Sequence, residues 1–509
     1  MRAYRIGRKP TGPWANMTPP IRGGHFRRLD TLSPCLPPHD MGGAGAAAAP
    51  GLLVPDQADA AWDASSDMSA TSSSDLERAV RRRPPGKPAA DRIRAGGLAA
   101  ESDDDDEAPA LIGRCPATYT DWAVQQGVEQ GLRDYPSLDP AVQQGIVDSY
   151  RALHRRVVDE GLYDCPYREY AKEMARYTCL FAAFLVALHH AWYLTSAVFL
   201  GLFWHQIMFT AHDAGHRAIS QIFVVDTLIG MFIADFCCGL SIGWWKSSHN
   251  VHHLVTNQPE HDPDIQNVPL FATCPSFFKS LTSTYYNFRF VWDAAADALV
   301  PFQKYTYYPV MGIARFNLYL LSWLHVLSPK ASALSLSSAW WIRPTEIAFM
   351  SCYWFLFGYC LLLRTLPTWP IRVAFVLVSH IVTMPLHVQI TLSHWGMSTA
   401  HLGESESFAQ RQLRTTMDVD CPPWLDFVHG GLQFQAVHHL FPRLPRHNLR
   451  RAQVLTREFC QKTGVPYTIL GFVDGNQKVL GRLQDVSDQL KILVKCQKYM
   501  AETGESGLH

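Results

Sequence analysis

A chain of 509 residues, 48% of them hydrophobic, can bury a sizeable core, and its 45 basic and 45 acidic residues cancel, so no net field recruits nucleic acid. Twelve cysteines without a C-x-x-C pair exclude a disulfide framework and a zinc-finger spacing, leaving reduced thiols. The mean hydropathy of −0.05 averages two unlike regions, because Pro, Gly, Ala and charge dominate up to about residue 110 while the long apolar runs fall between 177 and 395.

Residues 1–112 hold too little apolar surface to offset the entropy of ordering and are predicted to be a disordered leader. Their first 30 residues lack the apolar stretch of a secretory signal; the arginines there allow a transit peptide without requiring one. The runs Arg81 to Arg83 and Asp103 to Asp106 read as solvated tail. Residues 113–176 form an amphipathic helical lead-in, with Val142, Ile146, Tyr150 and Leu153 on one face and Arg151, Arg155 and Arg156 suited to a cytosolic membrane surface.

The segment 177–420 is predicted to be the membrane core. Tyr177 to Ala211 carries no formal charge and is long enough for a tight hairpin of two spans broken near His189, His190 and Trp192. A second hairpin is predicted over 346–363 and 371–395, joined by the turn RTLPTWP. Residues 222–245 are apolar but contain Asp226 and Asp235, which points to a partly buried or in-plane helix. Residues 421–509 form a cytosolic cap ending in an amphipathic helix, on which Val479, Leu483, Val486, Leu490 and Leu493 recur at spacings of four and three.

Three clusters carry the chemistry: His212-Asp-Ala-Gly-His216, His249-Asn-Val-His252-His253, and Gln435-Ala-Val-His438-His439. Helical spacing of three or four puts the members of a cluster on one face, and the spans return each cluster to the same side of the membrane. A lone histidine at a span end is ordinarily a hydrogen-bonded or interfacial residue, and packing alone gives no reason for seven of them in paired clusters. Seven imidazoles exceed the needs of one tetrahedral ion, so two metals are expected. Nitrogen ligands beside an apolar path suit a pair of irons that activate oxygen against an unactivated C–H bond.

These clusters resemble the three histidine boxes of membrane fatty-acyl desaturases, and the segments GLFWHQIMFTAHDAGH, GWWKSSHNVHHLVTNQPEHDPDIQNVPLF and GGLQFQAVHHLFPRLPRHNLR are similar to those of fungal sphingolipid 8-desaturases over about residues 113–509. The resemblance implies an all-α integral membrane fold, with four transmembrane helices in two hairpins and a cytosolic helical cap carrying a di-iron site. It implies iron ligation by His212, His216, His249, His252, His253, His438 and His439. His394, just past the fourth span, matches a further histidine of the wider class. Gln435, in a position where related enzymes have histidine, marks the front-end branch; its carbonyl oxygen is expected to ligate directly or through water, with a hydrogen-bonding role beside the ligands as the alternative. Asp213, Asp262 and Asp264 are candidate partners for the second N–H of ligating histidines, or solvated loop residues. His205 is read as structural, and His380 and His387 as neutral residues hydrogen-bonded between helices.

The implied activity is desaturation at carbons 8 and 9 of a ceramide long-chain base, with oxygen and electrons from cytochrome b5 and its NADH-dependent reductase, in the endoplasmic reticulum membrane with the metal site facing the cytosol. A front-end fatty-acyl desaturase, a lipid hydroxylase of the same metal class and a non-catalytic membrane metal-binding protein are the alternatives. Relatives of this type carry an amino-terminal cytochrome b5 domain with a His-Pro-Gly-Gly motif, which this sequence lacks. Either that domain was lost and a separate cytochrome b5 serves, or the amino-terminal sequence is not that of the working enzyme.

Overall fold

The computed structural model describes residues 116–328 and 339–503. The leader expected over 1–112, with its arginine and aspartate runs, lies outside the described residues. The described residues are mostly helical. The lead-in forms α1 (Pro116–Asp134) and α2 (Pro140–Asp159). Asp139 caps α2 by accepting from the Ala141 N–H at 2.9 Å, and Pro140 occupies the first turn, where its missing N–H costs nothing. The buried face of α2 carries Ile146, Tyr150 and Leu153 as the periodicity predicts, but Val142 is exposed and Gln143 is buried in its place. The face is turned because its neighbour is polar there: the Gln143 amide donates to Gln410 Oε1 at 3.0 Å.

A hairpin follows from α3 (Tyr167–His189) and α4 (Tyr193–Gly215), and its turn falls on His190 to Trp192, with Ala191 at φ +57°. The break is where the sequence puts it, yet α3 begins well before Arg176. Among the described residues four helices are long and apolar enough to cross a membrane: Tyr193–Gly215, Ala294–Leu327, Ile342–Thr365 and Trp369–Trp395. The number matches the expectation of four while the membership differs. Arg168, Glu169, Lys172, Glu173 and Arg176 make the first half of α3 too polar to qualify. The run Ala294–Leu327, which no apolar stretch in the sequence reading announced, qualifies instead. The chain is a multi-pass membrane protein.

The stretch expected as a partly buried or in-plane helix is partly buried, and it is broken. It runs as α5 (Phe223–Met231), continues as a π-helical turn over Phe232–Cys237, then bends by 116° into α6 (Ile242–Val255). Its two acids are satisfied by the backbone, Asp226 at the start of α5 and Asp235 across the bend. Asp226 accepts from the Ser220 N–H at 2.9 Å and hydroxyl at 2.7 Å, and Asp235 accepts from the Ile242 N–H at 2.8 Å, so each carboxylate holds a helix end. Ser241 caps α6 by accepting from Trp244 N–H at 2.9 Å.

Helix α7 (Gln303–Leu327) carries Pro309 in its first turns. The second predicted pair of spans is present in sequence as α8 (Ile342–Tyr353), extended by π-helical Trp354–Thr365, followed by α9 (Trp369–Ile381) and α10 (Met384–Trp395) with a break ahead of Pro385, but α9 packs chiefly on α4 rather than along the preceding span. The remaining helices are α11 (Phe408–Thr415), ahead of the segment expected as the cap, and α12 (Gln435–Leu440), α13 (Leu449–Thr463) and α14 (Phe472–Thr503) within it. Val479, Leu483, Val486, Leu490 and Leu493 are all buried on α14. Two small sheets supplement the helices: β1 (Leu281–Ser283) antiparallel to β2 (Phe288–Phe290), and β3 (Asp418–Asp420) parallel to β4 (Ile469–Gly471). No disulfide joins the described cysteines.

Candidate metal centre

The three clusters sit at helix ends that the spans bring to one place. His212 lies in the last turn of α4 and His216 caps it. His249, His252 and His253 share α6. The third cluster is presented by the short α12, which the chain enters through two left-handed glycines, Gly430 at φ +58° and Gly431 at φ +91°; a side chain at Gly430 would collide with the Phe209 ring of α4.

The ligand atoms gather in two groups, each within 4.8 Å: His212, His216, His249 and His438 in the first, and His252, His394 and His439 in the second. His253 lies between them, its ring 4.7 Å from that of His438 and 4.2 Å from that of His439. Its Nε2 is 3.1 Å from His249 Nε2, the spacing of two nitrogens that share one ion at roughly 2.1 Å each. The structure thus brings together the seven cluster histidines and His394. Gln435 is buried one turn before His438, and its side chain interacts with the His394 ring.

The surrounding polar groups select which nitrogen faces inward. His252 Nδ1 meets Asp262 Oδ2 at 2.8 Å, and Asp262 is itself held by the Asn257 and Asp264 N–H groups at 2.7 and 2.9 Å. His439 Nδ1 donates to Gln412 Oε1 at 2.9 Å, while the Gln412 amide donates to the His253 carbonyl at 2.9 Å. Asn257, at φ +58°, ties this corner to the His394 carbonyl at 2.8 Å and to the Thr415 carbonyl at 3.1 Å. Asp264 approaches His249 Nδ1 at 3.8 Å and Asp213 approaches His212 Nδ1 at 3.6 Å, both too long for direct hydrogen bonds.

These residues suit a metal. Buried nitrogens of His212, His216, His253, His394, His438 and His439 have no hydrogen-bond partner among the described residues. An unpaired buried nitrogen is costly; those of His212, His216 and His438 in the first group and of His394 and His439 in the second have a common remedy in cation ligation, whereas His253 turns Nε2, not its unpaired Nδ1, toward His249. Burial and the adjacent imidazoles hold His438 and His439 well below the usual imidazole range, so both present the neutral form that ligation requires.

Three histidines outside the clusters pack against neighbouring elements, each with its Nε2 also unpaired. His387 Nδ1 meets the Met311 carbonyl at 3.1 Å, bridging α10 to α7 as expected. His380 instead bonds within its own helix, to the Val376 carbonyl at 2.7 Å, and stacks on Phe316. His205 packs edge-on to Phe209 at 5.1 Å. Arg446, which no motif reading marked, is a buried hub. Its guanidinium pairs with Asp213 and Glu173, and donates to the Phe209 carbonyl and the Thr210 hydroxyl, each at 3.1 Å. Its place in "PRLPRHNLR", among surface-type residues, concealed it; the signal was the otherwise unneutralised Glu173 and Asp213 in distant segments.

Residues 189–471 match the family model described as fatty acid desaturase. The chain is 46% identical over its full length to the Delta 8-(E)-sphingolipid desaturase of Emericella nidulans, spanning 87% of that protein. It is 49% identical over 76% of its length to the protein of that name from Kluyveromyces lactis, spanning 67% of it. Over 59% of its length it is 39% identical to the Delta(8)-fatty-acid desaturase of Helianthus annuus, spanning 64% of that chain.

Proposed function

Because the chain belongs to the fatty acid desaturase family, we propose that it introduces a trans double bond between carbons 8 and 9 of the long-chain base of a ceramide. The observation that carries this substrate is the 46% identity, over the entire chain, to a Delta 8-(E)-sphingolipid desaturase. Two C–H hydrogens, one oxygen molecule, two electrons and two protons go in; one C=C bond and two waters come out. The electrons come from cytochrome b5 and its NADH-dependent reductase, in the endoplasmic reticulum membrane with the site on the cytosolic side.

His212, His216, His249, His252, His253, His394, His438 and His439 would hold two iron ions, with Gln435 acting beside them through His394. Bound iron supplies the oxygen chemistry that an unactivated C–H bond demands and that side chains lack. The chain supplies orientation. Asp262 keeps the proton on His252 Nδ1 and Gln412 keeps it on His439 Nδ1, so both rings turn their Nε2 lone pairs inward. His252, His394 and His439 of the second group are buried, while His212 and His249 of the first are partly exposed.

The test is expression, with a cytochrome b5, in a yeast that lacks this activity, followed by mass spectrometry of its long-chain bases and fatty acids. An 8-unsaturated base from the wild type and none from His252→Ala is the expected result. A new double bond confined to fatty acyl chains supports the second reading, favoured by the 39% identity to the sunflower fatty-acid enzyme. A hydroxylated base in place of the olefin marks a hydroxylase, and unchanged lipids leave a metal-binding protein without this chemistry.

A further inference from the structure

Trp245 lies one helical turn before His249 on α6, a spacing that puts both on one face. The indole is stacked on the His249 ring, with centroids 4.3 Å apart and planes inclined by 27°. Its edges meet His212 and His216, each at 5.3 Å and steeply inclined. Trp245 therefore touches three of the four histidines of the first group, and within the described residues its ring meets none of the second group.

The glycine of the first cluster belongs to the same arrangement. Gly215 is helical and needs no left-handed backbone, so its conformation does not explain its identity. Space does. A Cβ on Gly215 would lie 2.2 Å from Trp245 Cζ3 and 3.0 Å from Cε3, well inside contact distance of a ring that has no flexible end to withdraw. The six-membered edge of the indole thus occupies the space a side chain at Gly215 would need.

We propose that Trp245, seated on Gly215, is a positioning residue for the first metal: it clamps His249 against rotation and spaces it from His212 and His216. This rests on the reading that the cluster histidines hold two metals. Ligating rings have to be held to within about half an ångström, and here a stacked indole supplies a restraint on the His249 Nδ1 side where the nearest carboxylate, Asp264, stands 3.8 Å away. His249 is thus held by an aromatic face where His252 is held by a carboxylate.

The experiment is total bound metal per chain, by elemental mass spectrometry, on purified full-length wild type, Trp245→Phe, Trp245→Val, Gly215→Ala and the Gly215→Ala/Trp245→Val double variant, with circular dichroism to establish that each is folded. Wild type is expected to carry two metals and Trp245→Phe to keep both, because a phenyl ring still stacks. Trp245→Val and Gly215→Ala are each expected to fall to about one. The double variant is expected to match Trp245→Val, because the added methyl has no indole left to displace. Two metals retained in folded Gly215→Ala overturn the proposal whatever valine does to the fold. So does a double variant that loses more than Trp245→Val alone. A wild type without metal overturns the underlying reading instead, a result distinct from either.

Discussion

Arg446 shows how much of the site depends on one side chain outside the histidine clusters. Its planar guanidinium offers donors in a fixed fork, and here they serve Asp213 beside the first cluster, Glu173 on α3 and two groups on α4. Tyr170 also donates to Asp213, and His447 meets the second oxygen of Glu173 at 3.1 Å. Removing the cation leaves two buried carboxylates without their countercharge, and breaking a buried pair in this way costs about 3–5 kcal/mol. Arg446→Gln is therefore expected to lower the melting temperature of the detergent-solubilised protein steeply, with Arg446→Lys intermediate because it keeps the charge but loses the fork. A melting temperature within a degree of wild type for Arg446→Gln would show that the ion pairs carry no net stabilisation.

At the scale of elements, α14 links the amphipathic pattern to the metal centre. Its apolar stripe packs on α7 and on α10, the helix that presents His394, and Gln303 of α7 donates to the Leu483 carbonyl at 2.8 Å. Leu483 is fully buried, so Leu483→Ala removes its transfer energy and leaves a cavity, a loss of about 2–5 kcal/mol. The expected outcome is a lower denaturant midpoint with an unchanged slope; an unchanged midpoint would mean that α14 does not belong to the cooperative core. That stripe was legible because five apolar residues repeat at helical spacing. Ala294–Leu327 was not, because Pro301, Gln303, Lys304, Pro309 and Arg315 interrupt it. Arg315 becomes tolerable only in the folded chain, where it donates to the Cys238 carbonyl at 2.9 Å and Tyr319 at 2.8 Å under the face of Trp204. Such a residue reads as polar until its partners are known.

For the molecule as a whole, clusters more than two hundred positions apart converge as the repeated histidine pairs suggested, but not by the span parity read from the sequence: with Ala294–Leu327 among the spans and α3 outside them, three spans rather than an even number separate the second cluster from the third. What could not be read was the wiring: that Asp262 rather than Asp213 makes the short contact to a ring, or that Gln412 and Asn257 fasten the second group, because these bonds join segments with no periodic relation. Asp418 is the clearest such fastening in the cap. It lies on β3 and accepts from the Ala436 N–H of α12 at 2.8 Å, from Gln453 of α13 at 2.8 Å, and from the Tyr467 hydroxyl, so one carboxylate joins the third cluster to the elements around it. Burial pushes its pKa up from 3.8 to about 6, against the hydrogen bonds that pull it down. In the unfolded chain the group ionises near 3.8, so between pH 4 and 6 the folded state holds a proton that the unfolded state has lost. Stability from this residue is accordingly full below pH 3.8 and declines as pH rises through 6, by up to about 3 kcal/mol. Asp418→Asn cannot titrate, so the melting temperature of wild type relative to that variant is expected to fall between pH 4.5 and 6.5 and to level off above. A difference that stays constant across that range would mean that Asp418 is ionised in the folded protein throughout, and that the cap is joined to the third cluster through a buried charge.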